Sequence, residues 1–355
     1  MKKVLITGTG GSPSTNFIRS LRAMKEKIFI VGTDSDKYYL QRSEADESYL
    51  VPSCNHEKYF NFLNYIIEKH NLEFMHVQND NEMKVVSEFR ERLNIKLFLP
   101  SKETINCCLN KYESYKKWEA NKIKVPKTYP LSNPDDLRKA YDILGGKVWV
   151  REVSGAGGRG SLAPEDFDQA MAWIDFKKGW GKFVAAELLS PDSITWMSIW
   201  KDGELIIAQG RKRLYWELGK VSPSGISGAT GAGVTISDSR LDEIALASIK
   251  SIDTKPNGIF SVDLTYDFSG VPNPTEINIG RFFTTHEFFT QAGLNMPEIL
   301  IRLAYNEPLP RLAKKINPLE NGLIWIRGMD FLPVLIKDTK LEKDRKIMEN
   351  ILKEL

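Results

Sequence analysis

The chain has 355 residues, of which 42% are hydrophobic and 27% are charged, and its formal net charge is +3. This composition is ordinary for a folded protein of two or three domains, and it excludes a wholly disordered chain and a strongly basic nucleic-acid-binding protein. No stretch approaches ~18 uninterrupted apolar residues, and the start lacks the apolar region of a signal peptide, so we expect no membrane partner. Three cysteines, an odd number without metal-binding spacing, favour a reduced, cytoplasmic setting.

The first part of the chain alternates short apolar runs with amphipathic helical patterns. Val4–Thr7 is followed by Gly8, Gly10 and Gly11 and then by a helical pattern that includes Phe17. Further strands are predicted at Ile28–Val31, Leu50–Val51, Phe74–Val77 and Leu97–Leu99, and helices at Tyr59–Lys69 and Glu82–Leu93. Such alternation predicts a parallel sheet with helices on both faces, which we assign to residues 1–108.

The pattern changes after residue 108. A helix is predicted over 111–122, and Asp202-Gly203 and the segment 267–274 are typical of hairpin turns. The predicted strands are Val148–Arg151, Phe183–Leu189, Ile194–Trp200, Leu205–Gln209, Ile259–Tyr266 and Thr275–Ile279, with a helix at Leu241–Ile252. The last ~40 residues contain a short apolar piece, Leu323–Ile326, and a charged helix. This part is predicted to be α+β with antiparallel strands.

The glycine turn after the first strand can hold an anion on backbone N–H groups at a helix N-terminus. Asp34 follows the second strand, where dinucleotide-binding folds place a ribose-binding acid. The turn is not a complete GxGxxG motif, however, so tight strand-to-helix packing explains the glycines equally well.

A second glycine-rich segment, residues 154–160, follows Arg151 and contains Arg159. Glycines at this density leave the backbone free to lie against a ligand, and arginine and backbone N–H groups both donate to phosphate oxygens. We therefore predict a lid over a polyphosphate, with a plain mobile loop as the alternative.

A third cluster consists of Asp263, Glu276 and Asn278. Side chains alternate along a strand, so Glu276 and Asn278 share a face, on which Asp263 of the preceding strand converges. Two carboxylates and an amide oxygen are ligands that Mg²⁺ prefers. The alternative is a solvated polar face. Arg281 follows and is expected to bind phosphate or a substrate carboxylate, or to be the counter-ion of Glu276.

The order of these motifs resembles the ATP-grasp superfamily, in its carbamoyl phosphate synthetase large-subunit-like branch. The segments that carry the resemblance are KVLITGTGGSPSTNFIRSL, LNKYESYKKWEANKIKVPKTYP, VWVREVSGAGGRGS and FSVDLTYDFSGVPNPTEINIGRF. The resemblance covers about residues 1–310 and implies a Rossmann-like pre-ATP-grasp domain followed by a two-lobed grasp. The implied domains are 1–108, a small lobe with the lid at 109–186, a large lobe with the metal-binding hairpin at 187–312, and a C-terminal extension at 313–355.

The resemblance also implies the site and the reaction. Catalytic roles fall to Arg151 and Arg281, and Asp263, Glu276 and Asn278 would hold Mg²⁺ or Mn²⁺. The residues expected to bind ATP are Lys111, Arg151, Ser154, Gly155, Gly157, Gly158, Arg159, Gly160, Glu187, Leu188 and Leu189. The implied activity is ADP-forming activation of a small carboxylic acid as an acyl phosphate, for attack by an amine or ammonia. The family often forms dimers, so a homodimer is a further expectation.

The chain departs from the family pattern in two places. The strand after the predicted hinge lacks the acid that usually binds ribose, for which Asp192 is a candidate replacement, and Arg281 stands one position later than usual. A nucleotide-binding regulatory module without turnover and an NAD or nucleotide-sugar oxidoreductase therefore stay open. Substrate contacts are expected from 224–233, from 211–213, and from Trp216 or His286, although the charge pattern at 211–213 favours a solvated face.

Overall fold

The N-terminal part of the chain forms a five-stranded sheet. The computed structural model describes residues 1–155 and 157–355. The strands are β1 (Lys2–Thr7), β2 (Ile28–Asp34), β3 (Glu47–Leu50), β4 (Phe74–His76) and β5 (Lys96–Leu97), in the order β3-β2-β1-β4-β5, and their pairs are all parallel. The helices are α1 (Ser12–Arg22), α2 (Tyr59–His70), α3 (Asp80–Glu88) and α4 (Lys102–Leu109). The predicted parallel α/β unit is confirmed.

The glycine turn between β1 and α1 is packed against its own chain. A Cβ on Gly10 would lie 2.0 Å from the backbone oxygen of Tyr39. The Asp34 carboxylate accepts hydrogen bonds from the N–H groups of Gly10 and Asp36, each at 3.0 Å. The turn and its acid are thus engaged in internal contacts, which favours the packing role of these glycines over dinucleotide binding.

A small three-stranded sheet follows the N-terminal unit. Its elements are α5 (Lys111–Ala120), β6 (Thr128–Leu131), α6 (Pro134–Leu144), β7 (Val148–Glu152), α7 (Phe167–Phe176) and β8 (Phe183–Glu187). The strand order is β6-β8-β7 with antiparallel pairs. Helices α6 and α7 bury Leu137 and Ile174 against the apolar side chains Val150 and Phe183 of this sheet. The opposite face, with Trp149 and Arg151, borders a cleft.

A six-stranded sheet forms the other side of that cleft. Its strands are β9 (Ser193–Lys201), β10 (Glu204–Trp216), β11 (Thr230–Ile236), β12 (Gly258–Tyr266), β13 (Pro272–Ile279) and β14 (Ile324–Ile326), in the order β13-β12-β9-β10-β11-β14. The remaining helices are α8 (Ser239–Ile252), α9 (Glu287–Gln291), α10 (Met296–Ala304) and α11 (Asp338–Glu354), and 3-10 helices cover Tyr39–Arg42, Arg90–Arg92 and Gly219–Val221.

The three sheets are joined by packed side chains. Trp118 of α5, 1% exposed, donates from its indole nitrogen to the backbone oxygen of Ser248 on α8 at 3.0 Å. Helix α11 packs on the N-terminal unit, where the Lys58 ammonium donates to the backbone oxygen of Leu352. The segment 313–355 therefore contributes both to the large sheet, through β14, and to the N-terminal face. The domain boundaries themselves stay a prediction.

Several elements differ from the sequence prediction. Strand β10 runs on to Trp216, and Thr230–Ile236 is a strand where a substrate loop was expected, because the two segments pair with each other. Helix α3 ends at Glu88, short of the predicted Leu93, and a 3-10 turn follows. Over the described residues, no helix combines the length and apolarity needed to cross a membrane.

Gly10→Ala is expected to destabilise the N-terminal unit because the added methyl group displaces the Tyr39 backbone. Overpacking of this kind costs about 1–3 kcal/mol or more, so the thermal midpoint should fall by roughly 5 °C. The matched control is Gly328→Ala, since a Cβ at Gly328 meets nothing within 4 Å. Equal midpoints for the two variants would contradict the close packing of the turn.

Candidate active site

The cleft between the small sheet and the large sheet contains a cavity of about 510 Å³, called here the first cavity. The predicted site residues that line it are Lys111, Arg151, Gly155, Gly157, Gly158, Arg159, Gly160, Glu187, Leu188, Leu189, Asp263 and Glu276. A second cavity of about 420 Å³ adjoins it on the side of the N-terminal unit. Ser154, Asn278 and Arg281 line the second cavity. Every predicted site residue therefore borders one cavity or both, while their roles stay predictions.

The hairpin of β12 and β13 brings two carboxylates together. Asp263 pairs directly with Glu276 in the antiparallel register, so both side chains lie on the face that borders both cavities. Asn278, two residues along β13, shares this face and donates from its amide nitrogen to Asp263 Oδ2 at 3.0 Å. The strand alternation thus places the three residues as the sequence suggested.

The two carboxylates differ in their electrostatic surroundings. Desolvation alone would raise the pKa of Glu276, but the Lys111 ammonium and the Arg151 guanidinium hold it well below its usual range. Desolvation raises the pKa of Asp263, and the neighbouring Glu276 charge acts in the same direction, against Arg213 and the Thr195 hydroxyl. Glu276 is therefore ionised. Asp263 needs a nearby cation for its carboxyl group to be ionised to the same extent.

Lys111 and Arg151 join the hairpin to the small lobe. Lys111, at the start of α5, has its Nζ 3.2 Å from Glu276 Oε2 and donates to the backbone oxygen of Gly155 at 2.7 Å. Arg151 donates from one terminal nitrogen to the backbone oxygen of Thr275 at 2.7 Å, and its buried Nε has no partner among the described residues. Both cations thus lie beside the carboxylates and line the first cavity.

Arg281 connects the hairpin to the N-terminal unit. Its guanidinium forms a salt bridge with Asp80 at the start of α3 and donates to Asn278 Oδ1 at 2.8 Å. Gly280, directly after β13, has φ +69°, and this left-handed conformation turns Arg281 back toward Asn278. The displaced arginine therefore returns to the face of the hairpin carboxylates.

Two arginines of β10 point inward beneath the second cavity. The Arg211 guanidinium donates to Thr285 Oγ1 at 2.8 Å and to Thr195 Oγ1 at 2.9 Å, and Arg213 donates to Ser193 Oγ at 2.6 Å. The expectation of a solvated face is wrong for Arg211, which is 1% exposed. Lys212 between them points outward and pairs with Asp192.

Thr195 on β9 links these arginines to the hairpin. Its hydroxyl donates to Asp263 Oδ1 at 2.6 Å and accepts from Arg211 at 2.9 Å and from Arg213 at 3.5 Å. Burial lowers the pKa of Arg211 to about 9, and the adjacent Arg213 charge pushes it in the same direction. Arg211 therefore still carries its charge at neutral pH.

The glycine-rich loop, at Gly157 and Gly158, packs across the cleft against a second loop that contains Ile226 and Gly228. A Cβ on Gly158 would lie 2.8 Å from the Ile226 backbone oxygen, and a Cβ on Gly228 would lie 2.7 Å from the Gly157 Cα. Only residues without side chains allow the loops to approach this closely. Ala156, within the predicted lid, lies outside the described residues.

The hairpin fits a divalent cation in its ligand chemistry. Asp263 and Glu276 supply hard carboxylate oxygens, and Asn278 would add an amide oxygen only after its amide turns, because that oxygen now accepts from Arg281. Over residues 1–155 and 157–355 there is no cluster of three His, Cys, Asp or Glu residues suited to a metal. Any metal held here would therefore depend on the amide or on ligand oxygens in addition to the two carboxylates.

Some sequence expectations do not hold. His286 lies 1% exposed in a stack with Phe282 and borders neither cavity, so it is not a substrate contact in this structure. Asp192 is exposed and also borders neither cavity, whereas Glu152 and Glu187 do line the first one. Asp80 and Thr195 carried no sequence signal, because their roles arise only from contacts between distant parts of the chain.

No protein-family model matches this chain, and no curated protein sequence matches it. Solved structures do match. Biotin carboxylase from Campylobacter jejuni, in complex with β,γ-ATP, is 20% identical over 87% of this chain and 72% of that one, with TM-score 0.67. N5-carboxyaminoimidazole synthetase from Staphylococcus aureus, complexed with ADP, is 16% identical over 87% and 78%, with TM-score 0.65. L-amino acid ligase from Bacillus licheniformis is 12% identical over 86% and 74%, with TM-score 0.65.

These likenesses show the fold. The chain shares the fold of these structures, the ATP-grasp fold predicted above: a parallel α/β unit precedes a small three-stranded lobe and a large six-stranded lobe. The predicted fold class is confirmed.

Thr195→Val is expected to destabilise the protein by about 1–3 kcal/mol, because it removes the hydroxyl shared by Asp263, Arg211 and Arg213. The measurement is the thermal midpoint. Thr265→Val on β12 is the matched control, since the Thr265 hydroxyl has no hydrogen bond within the described part of the chain. A Thr195→Val midpoint no lower than that of the control would show that this network contributes little.

Proposed function

We propose that the protein is an ADP-forming ligase that uses Mg-ATP to activate a small carboxylic acid for attack by an amine or ammonia. One observation carries this proposal: the two cavities meet at Asp263 and Glu276, beside Lys111 and the glycine-rich loop. A nucleotide in the first cavity would place its terminal phosphate at this junction. An acid in the second cavity would approach the phosphate from the opposite side, as an in-line transfer requires.

The chain's own residues supply binding, orientation and charge. Lys111, Arg151 and Arg159 would donate to the phosphate oxygens, and the glycine-rich loop would exclude water. Leu188 and Leu189, after β8, would form the adenine-binding hinge together with Glu187. Arg281 would orient the acid, held in place by Asp80. No side-chain nucleophile is needed, because the carboxylate oxygen attacks the phosphorus and ADP leaves.

Asp263, Glu276 and Asn278 would hold Mg²⁺ or Mn²⁺, which when bound neutralises charge on the phosphates. The two carboxylates are matched to this task, since their mutual repulsion is relieved only by cations. The acyl phosphate formed at the acid would then be attacked by the amine, releasing phosphate.

The structural neighbours support the same class of reaction. One is described with β,γ-ATP, one with ADP, and the biotin carboxylase domain of Hydrogenobacter thermophilus 2-oxoglutarate carboxylase with MgADP and bicarbonate. That domain is described as a dimer, which makes a homodimer a reasonable part of the proposal.

A nucleotide-binding module without turnover is the second candidate, motivated by the missing ribose acid on β9. An oxidoreductase is less favoured, because Asp34 and the N-terminal glycine turn are already occupied by internal contacts. Tight ATP binding without acid-dependent ADP would favour the module, and binding of NAD(H) in place of ATP would favour the oxidoreductase.

The ligase reaction is tested by ADP release from Mg-ATP with pooled small carboxylic acids. Hydroxylamine serves as the nucleophile, because it traps an acyl phosphate whatever the natural amine is. We expect acid-dependent ADP that requires a divalent cation and is lost in Glu276→Gln, which keeps the size of the side chain. Formation of AMP in place of ADP would reject the acyl-phosphate mechanism.

Arg151→Met is expected to lower kcat by roughly 10²–10³-fold, the usual effect of losing one transition-state donor. Arg138→Met is the control. Arg138, on α6 of the same lobe, lies over the ring of Phe167 and borders neither cavity. Unchanged turnover in Arg151→Met would remove Arg151 from the catalytic machinery.

A further inference from the structure

Arg211 and Arg213 form no direct ion pair within the described residues, and Thr195 lies between them and the carboxylate of Asp263. Within the described residues their side-chain hydrogen bonds go to the hydroxyls of Thr285, Thr195, Thr230 and Ser193, and neither forms a salt bridge. The Nε of Arg211 is buried and has no hydrogen-bond partner. Burying a guanidinium without a carboxylate is costly, and arginine cannot escape the cost by losing its proton at neutral pH.

Aromatic rings hold both guanidinium groups in place. Arg211 lies 4.6 Å from the centroid of Phe283, and Arg213 lies 3.6 Å from that of Trp216. Stacked arginines present their N–H groups edge-on, in the fork geometry that matches a carboxylate or a phosphate. Both arginines, together with Phe283 and Trp216, line the second cavity. The two guanidinium groups are therefore held in an orientation that can bind an anionic ligand.

The charges around the second cavity do not balance. Its cations are Lys84, Lys111, Arg159, Arg211, Arg213 and Arg281, and its carboxylates are Asp80, Asp263 and Glu276. Arg281 pairs with Asp80, and Lys111 pairs with Glu276. In the proposed reaction the ATP phosphates engage Lys111 and Arg159, and the metal engages Asp263 and Glu276. Three cations then remain: Lys84, which is exposed to solvent, and Arg211 and Arg213, which are not. The two arginines therefore call for an anionic group in addition to the reacting carboxylate.

We propose that the acid substrate carries a second anionic group, a carboxylate or a phosphate, which binds Arg211 and Arg213. An acid with two such groups is called a dianion below, whatever the charge on each group. This rests on the ligase function proposed above and specifies the class of its acid. The reacting carboxylate would lie toward Arg281, at the junction of the cavities. The second anionic group would lie across the sheet, on β10, where Thr195 separates it from Asp263.

The test measures acid-dependent ADP release by the full-length protein with Mg-ATP and hydroxylamine, for matched pairs of acids. Two pairs compare a dicarboxylate with its monoamide, which keeps only the reacting carboxylate: succinate with succinamate, and glutarate with glutaramate. A third pair, 3-phosphoglycerate with glycerate, examines a phosphate as the second group. We expect a dianion to have a kcat/KM at least about 10-fold above that of its partner, and the pair that shows this identifies the kind of anion.

Arg213→Gln should remove this preference by raising the KM for the dianion about 10- to 100-fold, the effect of a lost hydrogen bond to a charged group, with less change in kcat. Arg211→Lys keeps the charge but loses the fork, so a smaller rise is expected. Lys212→Gln, between them on the same strand but facing outward, should keep the wild-type preference. Thermal midpoints of all variants establish that they are folded.

Equal kcat/KM values for the dianions and their singly charged analogues in the wild type would leave the ligase function standing and overturn the proposed second anionic group. In Arg213→Gln, a rise in the KM for ATP as large as that for the acid would also overturn the proposed anion site, because Arg213 would then contact the nucleotide.

If no acid yields ADP, the ligase function fails for these acids, and ligand binding then tests the anion site on its own. A thermal midpoint raised by glutarate or 3-phosphoglycerate in the wild type but not in Arg213→Gln supports the site. No rise in the thermal midpoint of the wild type, or an equal rise in the wild type and in Arg213→Gln, overturns the proposed anion site.

Discussion

Two carboxylates that face each other on adjacent strands are the constraint on which the rest of the cleft depends. Asp263 and Glu276 repel each other across β12 and β13, and a folded chain tolerates this only with cations close by. Those cations come from every part of the grasp: Lys111 from the start of α5, Arg151 from the small sheet, and the arginines of β10 from the large one. The electrostatics of one hairpin therefore hold the two lobes around a common cleft.

The N-terminal unit takes part through a different set of contacts. Asp80 binds Arg281, and beneath them an aromatic stack runs from Phe17 through His76 and Phe282 to His286. Burial lowers the pKa of both histidines to about 3, so the stack is neutral and packs as an apolar core would. The turn at Gly280 that redirects Arg281 is thus held by the ion pair of Arg281 with Asp80 and by the packing of Phe282 in the aromatic stack.

Local sequence patterns gave most of the fold and the part of the site that lies on one hairpin. Strand alternation alone placed Asp263, Glu276 and Asn278 on one face, because the period of two leaves no other choice. The same reasoning was wrong about Arg211, since a run of basic residues looks the same whether it faces water or a cavity. Only the pairing of β10 with β9 and β11, distant in sequence, buries Arg211 and turns Lys212 outward. Asp80 and Thr195 were missed for the same reason.

The distribution of ion pairs separates the cations of the site into two kinds. Lys111 and Arg281 each have a carboxylate partner, so their charge is already balanced, and a ligand must compete with that partner. Arg211 and Arg213 have only hydroxyl groups, which orient a guanidinium without neutralising it. Hydroxyl partners retain the positive potential of the cavity, whereas carboxylate partners would cancel it. Thr195 could not be replaced by a carboxylate without repelling Asp263, to which its hydroxyl donates. The hydroxyl groups thus orient the two arginines and leave their charge for a ligand.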